Sequence, residues 1–250
     1  MHLKRLKPRA LQMLKKLLFA FILLMSTNSL SANEITINTT GKPPLNTPEL
    51  SGFMDLISKE AFKRIGYTLN TVQLPAERGL RNVNAGIEDG EMSRIKGLDK
   101  LYPNLIRVPE KIMDWEFVGF SNQPINLDKG WPSLQFHAVT FINGWKILEK
   151  NVPQQAEITK VRTPEQLFSI LQKQRTDLIL YERWGGLLYI KQHKLKGIQL
   201  NSPPLAVREM FIYLHKKHID LVPKLASTLK QMKQDGSYQS IVNKILKPLE

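Results

Sequence analysis

Two kinds of side chain in this 250-residue chain could hold a small charged molecule: arginines placed beside regular elements, and one glutamate at the end of an apolar run. Arg78 stands in the first turn of a helical stretch opened by Pro75, with Leu80 and Val83 on another face. Arg94 follows a short strand and precedes an irregular stretch, where binding residues tend to lie. A guanidinium presents a planar fork of N–H groups that matches a carboxylate bidentately. Glu182 ends the run Asp177 to Tyr181 and stands directly before Trp184 and Gly185-Gly186, where a carboxylate could hold an ammonium group. Trp115, Trp145, Tyr181 and Trp184 could wall a pocket with flat apolar surface. Each has a plainer role open to it. Arg78 could lie on a solvated helix face beside Glu77 or Asn82, and Glu182 could pair with Arg183. Core packing is the commoner fate of large aromatics, so one or two of the four are expected at a site. Arg81 and Arg107 read as surface charges.

Other chemistries find little material. The chain has no cysteine, which excludes disulfides, thiolate nucleophiles and Cys-ligated metals. His215-Lys-Lys-His218 has two imidazoles but no third ligand, and it sits among cations, so a solvated loop is the reading and no metal is expected. No G-x-S-x-G, H-E-x-x-H or G-x-x-x-x-G-K-S/T occurs, and no cofactor is called for. Acid–base catalysis would have to come from Glu77 or Glu182 with a lysine. The chain is therefore expected not to be an enzyme.

The first 32 residues explain part of the formal charge of +14. Lys4, Arg5, Lys7, Arg9, Lys15 and Lys16 precede an apolar run of nine, Leu17 to Met25, and Leu30-Ser31-Ala32 offers a small-residue cleavage site. That order is the pattern of a signal peptide, and the run is about half as long as a bilayer span requires. Beyond it, 30 basic residues face 22 acidic ones, a net +8. They are scattered and do not form the basic stripe of a nucleic-acid surface.

The rest of the chain must position these groups, and it alternates short β-like runs with amphipathic stretches, the pattern of an α/β protein. Glu34 to Thr39, Tyr67 to Leu74, Ala138 to Ile142, Asp177 to Tyr181 and Met210 to Leu214 read as strands. Gly52 to Ile65 has helical spacing and Gly66 is placed to stop it. A helix runs from Pro75 to about Ala85, and Thr163-Pro164-Glu165-Gln166 is a capping box with Leu167, Phe168, Ile170 and Leu171 behind it. Asp220 is expected to cap a helix carrying Leu221, Leu225, Leu229 and Met232, and a last helix carries Tyr238, Ile241, Val242 and Ile245.

In order and spacing these pieces resemble the family 3 extracellular solute-binding proteins. Gly52-Phe-Met-Asp-Leu56 is similar to the family's G-F-x-x-D-L. Pro75-Ala-Glu-Arg-Gly79 with Asp89-Gly90 is similar to a branch with P-x-x-R-A and then D-G, and Tyr213-Leu-His-Lys-Lys and Met232 to Tyr238 to its closing segments. The resemblance implies a two-lobed periplasmic-binding-protein fold of type II, with two crossing segments as its hinge. Residues 33–118 plus 209–250 would form the first lobe and 119–208 the second. It further implies a monomeric receptor in the periplasm that takes a small polar solute, an amino acid or similar, for an ABC importer or a sensor. Some relatives are dehydratases or carry a lytic domain, and a partner protein without a ligand is the third reading. The chain departs from the pattern twice. The segment from Asp89 to Arg94 is shorter than the family's, and Glu182 stands where the family has an aspartate.

Export is expected to remove the chain's beginning after Ala32. Mass spectrometry of envelope protein should find Asn33 at the N-terminus, and an intact Met1 would contradict it.

Overall fold

A computed structural model describes residues 33–250, so the expected signal peptide and its cleavage site lie outside the described residues. The chain enters as β1 (Asn33–Thr39), whose alternation buries Ile35 and Ile37. The loop that follows runs back over the start of α1 (Phe53–Arg64). That helix begins with its free N–H groups already bound. Phe53 N donates to the Pro44 carbonyl at 3.0 Å and Met54 N to the Leu45 carbonyl at 2.8 Å. Asp55, 3% exposed, accepts from Gly52 N and Thr47 N through one oxygen and from the Asn46 amide through the other. A Cβ on Gly52 would lie 2.5 Å from the Leu45 carbonyl oxygen, so glycine and aspartate in this motif have one purpose, the close seating of loop on helix. At the other end Gly66 takes φ +83 and turns the chain into β2 (Tyr67–Gln73).

Next come α2 (Ala76–Asn84), β3 (Gly90–Arg94) and the short β4 (Leu105–Arg107). β5 (Met113–Ser121) leads into β6 (Ala138–Ile142), α3 (Lys146–Asn151), β7 (Glu157–Val161) and α4 (Pro164–Gln172). β8 (Leu178–Glu182) runs straight into α5 (Arg183–Gln192). Finally β9 (Gln199–His215) is followed by α6 (Leu221–Gln234) and α7 (Ser237–Ile245).

The strand order is β2-β1-β3-β9-β5-β8-β6-β7, with β4 also on β9. β1 and β3 are parallel, as are β6 with β7 and β8, and helices link them. The end of β9 pairs antiparallel with β3 and β4, and its beginning pairs antiparallel with β5. Two sheets thus meet in the β5–β9 pair. Separate cores flank them. One gathers Ile37, Met92, Phe53, Leu225 and Leu229, and two others lie about Phe141 with Leu180 and about Phe120 with Phe168. Among the described residues no helix is long and apolar enough to cross a membrane.

Three local expectations change. The strand expected at Met210 to Leu214 is the end of a 17-residue strand that also passes through Pro203 and Pro204. Those prolines fall where the β5–β9 register skips from Phe117–Ala206 to Gly119–Asn201, an irregularity where the missing N–H groups are tolerated. Asp220 precedes α6 but is itself in a helical conformation and makes no side-chain cap. Thr163 does accept from Gln166 N at 3.4 Å, while the Gln166 side chain accepts from Arg162 N and not from Thr163.

Gly52→Ala should lower stability by about 1–3 kcal/mol, since the new methyl meets backbone and no flexible side chain can yield to it. Urea unfolding measures this, and an unchanged midpoint would show that the loop moves freely.

Candidate functional site

Where the two sheets meet, the C-terminal ends of β1, β3 and β8 open on a cavity of about 310 Å³. Ligands in α/β sheets favour such strand ends. The first sheet contributes Arg94, Ser93 and the Thr40–Pro43 loop, and the second contributes Tyr181 and Glu182 from β8 with Trp145 ahead of α3. The β5–β9 ladder supplies Trp115 and Arg208, which are register partners, and also Phe117 and Met210.

Arg94 is held on several sides. Its Nη1 donates to Thr40 Oγ1 at 3.0 Å and its Nη2 to the Ala76 carbonyl at 3.3 Å. Nη2 also lies 3.0 Å from Glu91 Oε1, and Nε is buried without a partner. With 15% of its side chain exposed, the guanidinium is fixed before any ligand arrives.

Glu182 is used locally in a way the sequence reading did not anticipate. It is the N-cap of α5, with Oε1 accepting from Trp184 N at 2.8 Å and Oε2 from Gly185 N at 2.6 Å. Burial pushes its carboxyl up to about 7, against the pull of those two N–H groups, with Glu116 adding to the rise and Arg183 opposing it. The pairing with Arg183 is not formed, because Arg183 reaches Glu116 at 2.8 Å and Glu250 at 3.2 Å. Tyr181 and Trp145 stack with centroids 5.0 Å apart at 19°, and Phe117 meets Trp145 edge-on at 5.8 Å. Burial, then the charges of Glu182 and Glu165, raise the Tyr181 phenol to about 12, so it faces the cavity as a neutral hydroxyl.

The structure brings Arg94, Trp115, Trp145, Tyr181 and Glu182 together around the cavity. Arg78 does not join them. It lies exposed on α2, because the buried face of that helix is Gly79, Leu80 and Val83. Trp184 also turns away and packs against the core of the first sheet, with the Arg183 guanidinium 5.2 Å above its ring. His218 meets Asp89 at 2.7 Å, and His215 Nδ1 accepts from Lys217 N. Arg208, Lys42, Thr40 and Phe117 escaped the sequence reading. Arg208 would have shown itself had the strand been carried two residues further back from Met210. Lys42 sits in a Gly-Pro loop, where spacing says nothing about direction.

No family model matches the chain. An uncharacterized protein of Shewanella oneidensis is 26% identical over 195 residues, 74% of this chain and 72% of the relative. Among solved structures, an ancestral arginine-binding protein bound to arginine has a TM-score of 0.63 at 18% identity, covering 85% of this chain and 98% of that one. The L-cystine solute receptor of Neisseria gonorrhoeae, unliganded and open, gives 0.68 at 14%, covering 86% and 94%. This chain has the two-lobed periplasmic-binding-protein fold. A histidine kinase sensor domain similar to periplasmic binding proteins has it as well, at a TM-score of 0.62 and 14% identity over 85% and 96% of the two chains. In a periplasmic-binding-protein fold the space between the lobes is a natural ligand site, since closure excludes water from it.

Glu182→Ala leaves two N–H groups at the start of α5 without acceptors. Stability should fall by about 0.5–2 kcal/mol, read by urea unfolding, and a wild-type midpoint would show that water replaces the cap at no cost.

Proposed function

We propose that this protein is an exported solute-binding receptor that closes its lobes on a small carboxylate-bearing solute, an amino acid or similar, and presents it to an importer or a sensor. The observation that carries this is Arg94, fixed at the end of β3 and lining a cavity to which the second sheet contributes Trp145, Tyr181 and Glu182. The lobes are residues 33–118 with 209–250, and 119–208. The fold supports the reading, as do two solved neighbours, one bound to arginine and one a receptor for L-cystine, while the sensor-domain neighbour supports the sensor role. In this reading the protein is a periplasmic monomer and carries out no chemistry on its ligand.

Glu182 decides between two ligand classes. Each of its oxygens accepts one N–H and keeps a second lone pair, enough to take an ammonium. A specific observation favours a plain acid instead. Lys42, Arg94 and Arg208 all line the cavity, against one carboxylate already engaged by a helix end.

A thermal-shift screen of amino acids, amines and organic acids, with assay of any hit for turnover, distinguishes receptor, enzyme and non-binding partner. Small-angle scattering of a hit should show a smaller radius of gyration. Arg94→Ala should weaken binding by roughly one to two decades, since charge-assisted hydrogen bonds contribute about 1.5–3 kcal/mol each. Calorimetry showing wild-type affinity would remove Arg94 as the anchor. Glu182→Gln should cost amino acids more affinity than plain acids, and anion-only hits unaffected by it would end the amino-acid reading.

A further inference from the structure

Behind Arg94 lies a second carboxyl that the cavity never touches. Glu91 stands on β3 three residues earlier, its side chain 1% exposed. It reaches toward α2 at Gly79, where a Cβ would sit 2.8 Å from Glu91 Oε2 and 2.7 Å from Asn38 Oδ1. Asn38, wholly buried, is the register neighbour of Glu91 on β1. The orientation of its amide is set by its donors. Nδ2 donates to the Gly79 carbonyl at 3.1 Å and to Glu88 Oε2 at 3.4 Å, which directs Oδ1 elsewhere. Among the described residues that Oδ1 has no donor, and neither oxygen of Glu91 has one either, because Arg94 Nη2 lies close but out of line. Two groups that only accept, one of them a carboxylate, therefore lie buried beside the same glycine. Burying them so is costly unless something donates. A proton on Glu91 is that donor, giving a carboxylic acid whose O–H can meet Asn38 Oδ1.

The surrounding charges agree. Arg94 favours the ionised form and Glu88, itself buried and held by Asn82, opposes it. Tyr213, across the ladder on β9, spends its hydroxyl on the Ile95 carbonyl. Glu77, Arg78 and Arg81 of α2 are exposed, with Glu77 and Arg81 paired to each other. Burial dominates, and it carries the Glu91 carboxyl to about 8.

We propose that Glu91 is a positioning residue that sets how much of the Arg94 charge a ligand can use. Protonated, Glu91 bonds to Asn38 and leaves the guanidinium to an incoming carboxylate. Ionised, it takes Arg94 as its own counter-ion and competes with the ligand. Anion binding and proton uptake are then linked, so an anion at Arg94 must raise the proton affinity of Glu91 by the same factor that the proton raises anion affinity. The inference rests on Arg94 being the anion anchor.

The test needs no identified ligand. Acetate serves as the bare carboxylate, added to 0.2 M against a chloride-free control of equal ionic strength, with the Glu91 carboxyl followed by carbon-13 NMR in the intact protein. Without acetate the midpoint should lie near 8. Acetate should move it up by half a unit or more, a threefold linkage, and Arg94→Ala should abolish that movement. A midpoint in the ordinary carboxylate range overturns the proposal, as does an unmoved or lowered midpoint with acetate. A shift that survives Arg94→Ala instead removes Arg94 as the anchor, and with it the reading on which this one rests. Glu91→Gln provides a second arm, since its amide can donate to Asn38 Oδ1 without carrying charge. Affinity of the wild type for any anionic hit should fall at least fivefold from pH 7 to 9, and that of Glu91→Gln should stay level. A variant that keeps the wild-type slope overturns the proposal, and one that fails to fold leaves the wild-type titration to decide.

Discussion

The antiparallel pairing of β5 with β9 is the constraint on which everything else rests. β9 pairs with the first sheet at its end and with β5 of the second at its beginning, so this ladder decides how the end of β3 faces the end of β8. It also forms part of the site itself, since Trp115 and Arg208 are direct partners across it and both line the cavity. Ladder hydrogen bonds resist sliding, because a slip of one residue between the strands would put Trp115 and Arg208 on opposite faces. Bending is a different matter. The register skips where Pro203 and Pro204 interrupt the donors, and a strand pair is most easily bent where its ladder is already broken.

The two ends that this ladder sets against each other differ in how they hold charge. At β3 the guanidinium is tied by a hydroxyl and a carbonyl, so part of its hydrogen-bonding capacity is spent on orientation. At β8 the carboxylate is tied by the first N–H groups of α5, whose partial positive charge favours the ionised form while burial resists it. The Glu182 carboxylate would not be so placed without the glycines that follow it. A Cβ on Gly185 would come 3.0 Å from Glu182 Oε2, and Gly186 lies against the Phe120 ring with room for no side chain at all. The Gly185-Gly186 pair lets α5 start close to the sheet, and that closeness is what buries Glu182.

Much of this was legible in the sequence wherever the cause is local. Gly52 and Asp55 stand three residues apart because one helix start needs both, so the motif and its reason coincide. The end of β6 is legible because the Asn143-Gly144 turn follows it directly. The same locality explains the misses. Pro203-Pro204 reads as a break, and only pairing with β5 makes those residues part of a strand. Glycines conceal α5, and without that helix nothing suggests that Glu182 serves as its cap. Arg78 and Arg94 look alike as sequence. What separates them is that the inner face of α2 belongs to Gly79, Leu80 and Val83, whereas β3 delivers its last residue to the cavity.

Glu91 is a case in which the local rule points the wrong way. Three residues from an arginine, a glutamate reads as half of an ion pair, and the 3.0 Å separation seems to agree. The geometry of its neighbours argues otherwise. An ionised carboxylate in a buried site requires donors, and among the described residues none is in line, Arg94 Nη2 being close but misaligned, while Asn38 turns an acceptor toward the same space. A neutral acid removes both difficulties at once, and it does so by giving up the charge that would have neutralised Arg94. The consequence for stability has a definite sign. A carboxyl raised from 4.5 to about 8 favours the folded state fully below its unfolded value, and that contribution declines by about 1.4 kcal/mol per unit as pH rises toward 8. At neutral pH the fold therefore keeps a protonated acid behind Arg94, and the stability given up between 4.5 and about 8, where the unfolded chain ionises and the folded one does not, is the counterpart of a guanidinium that Glu91 leaves without a counter-ion.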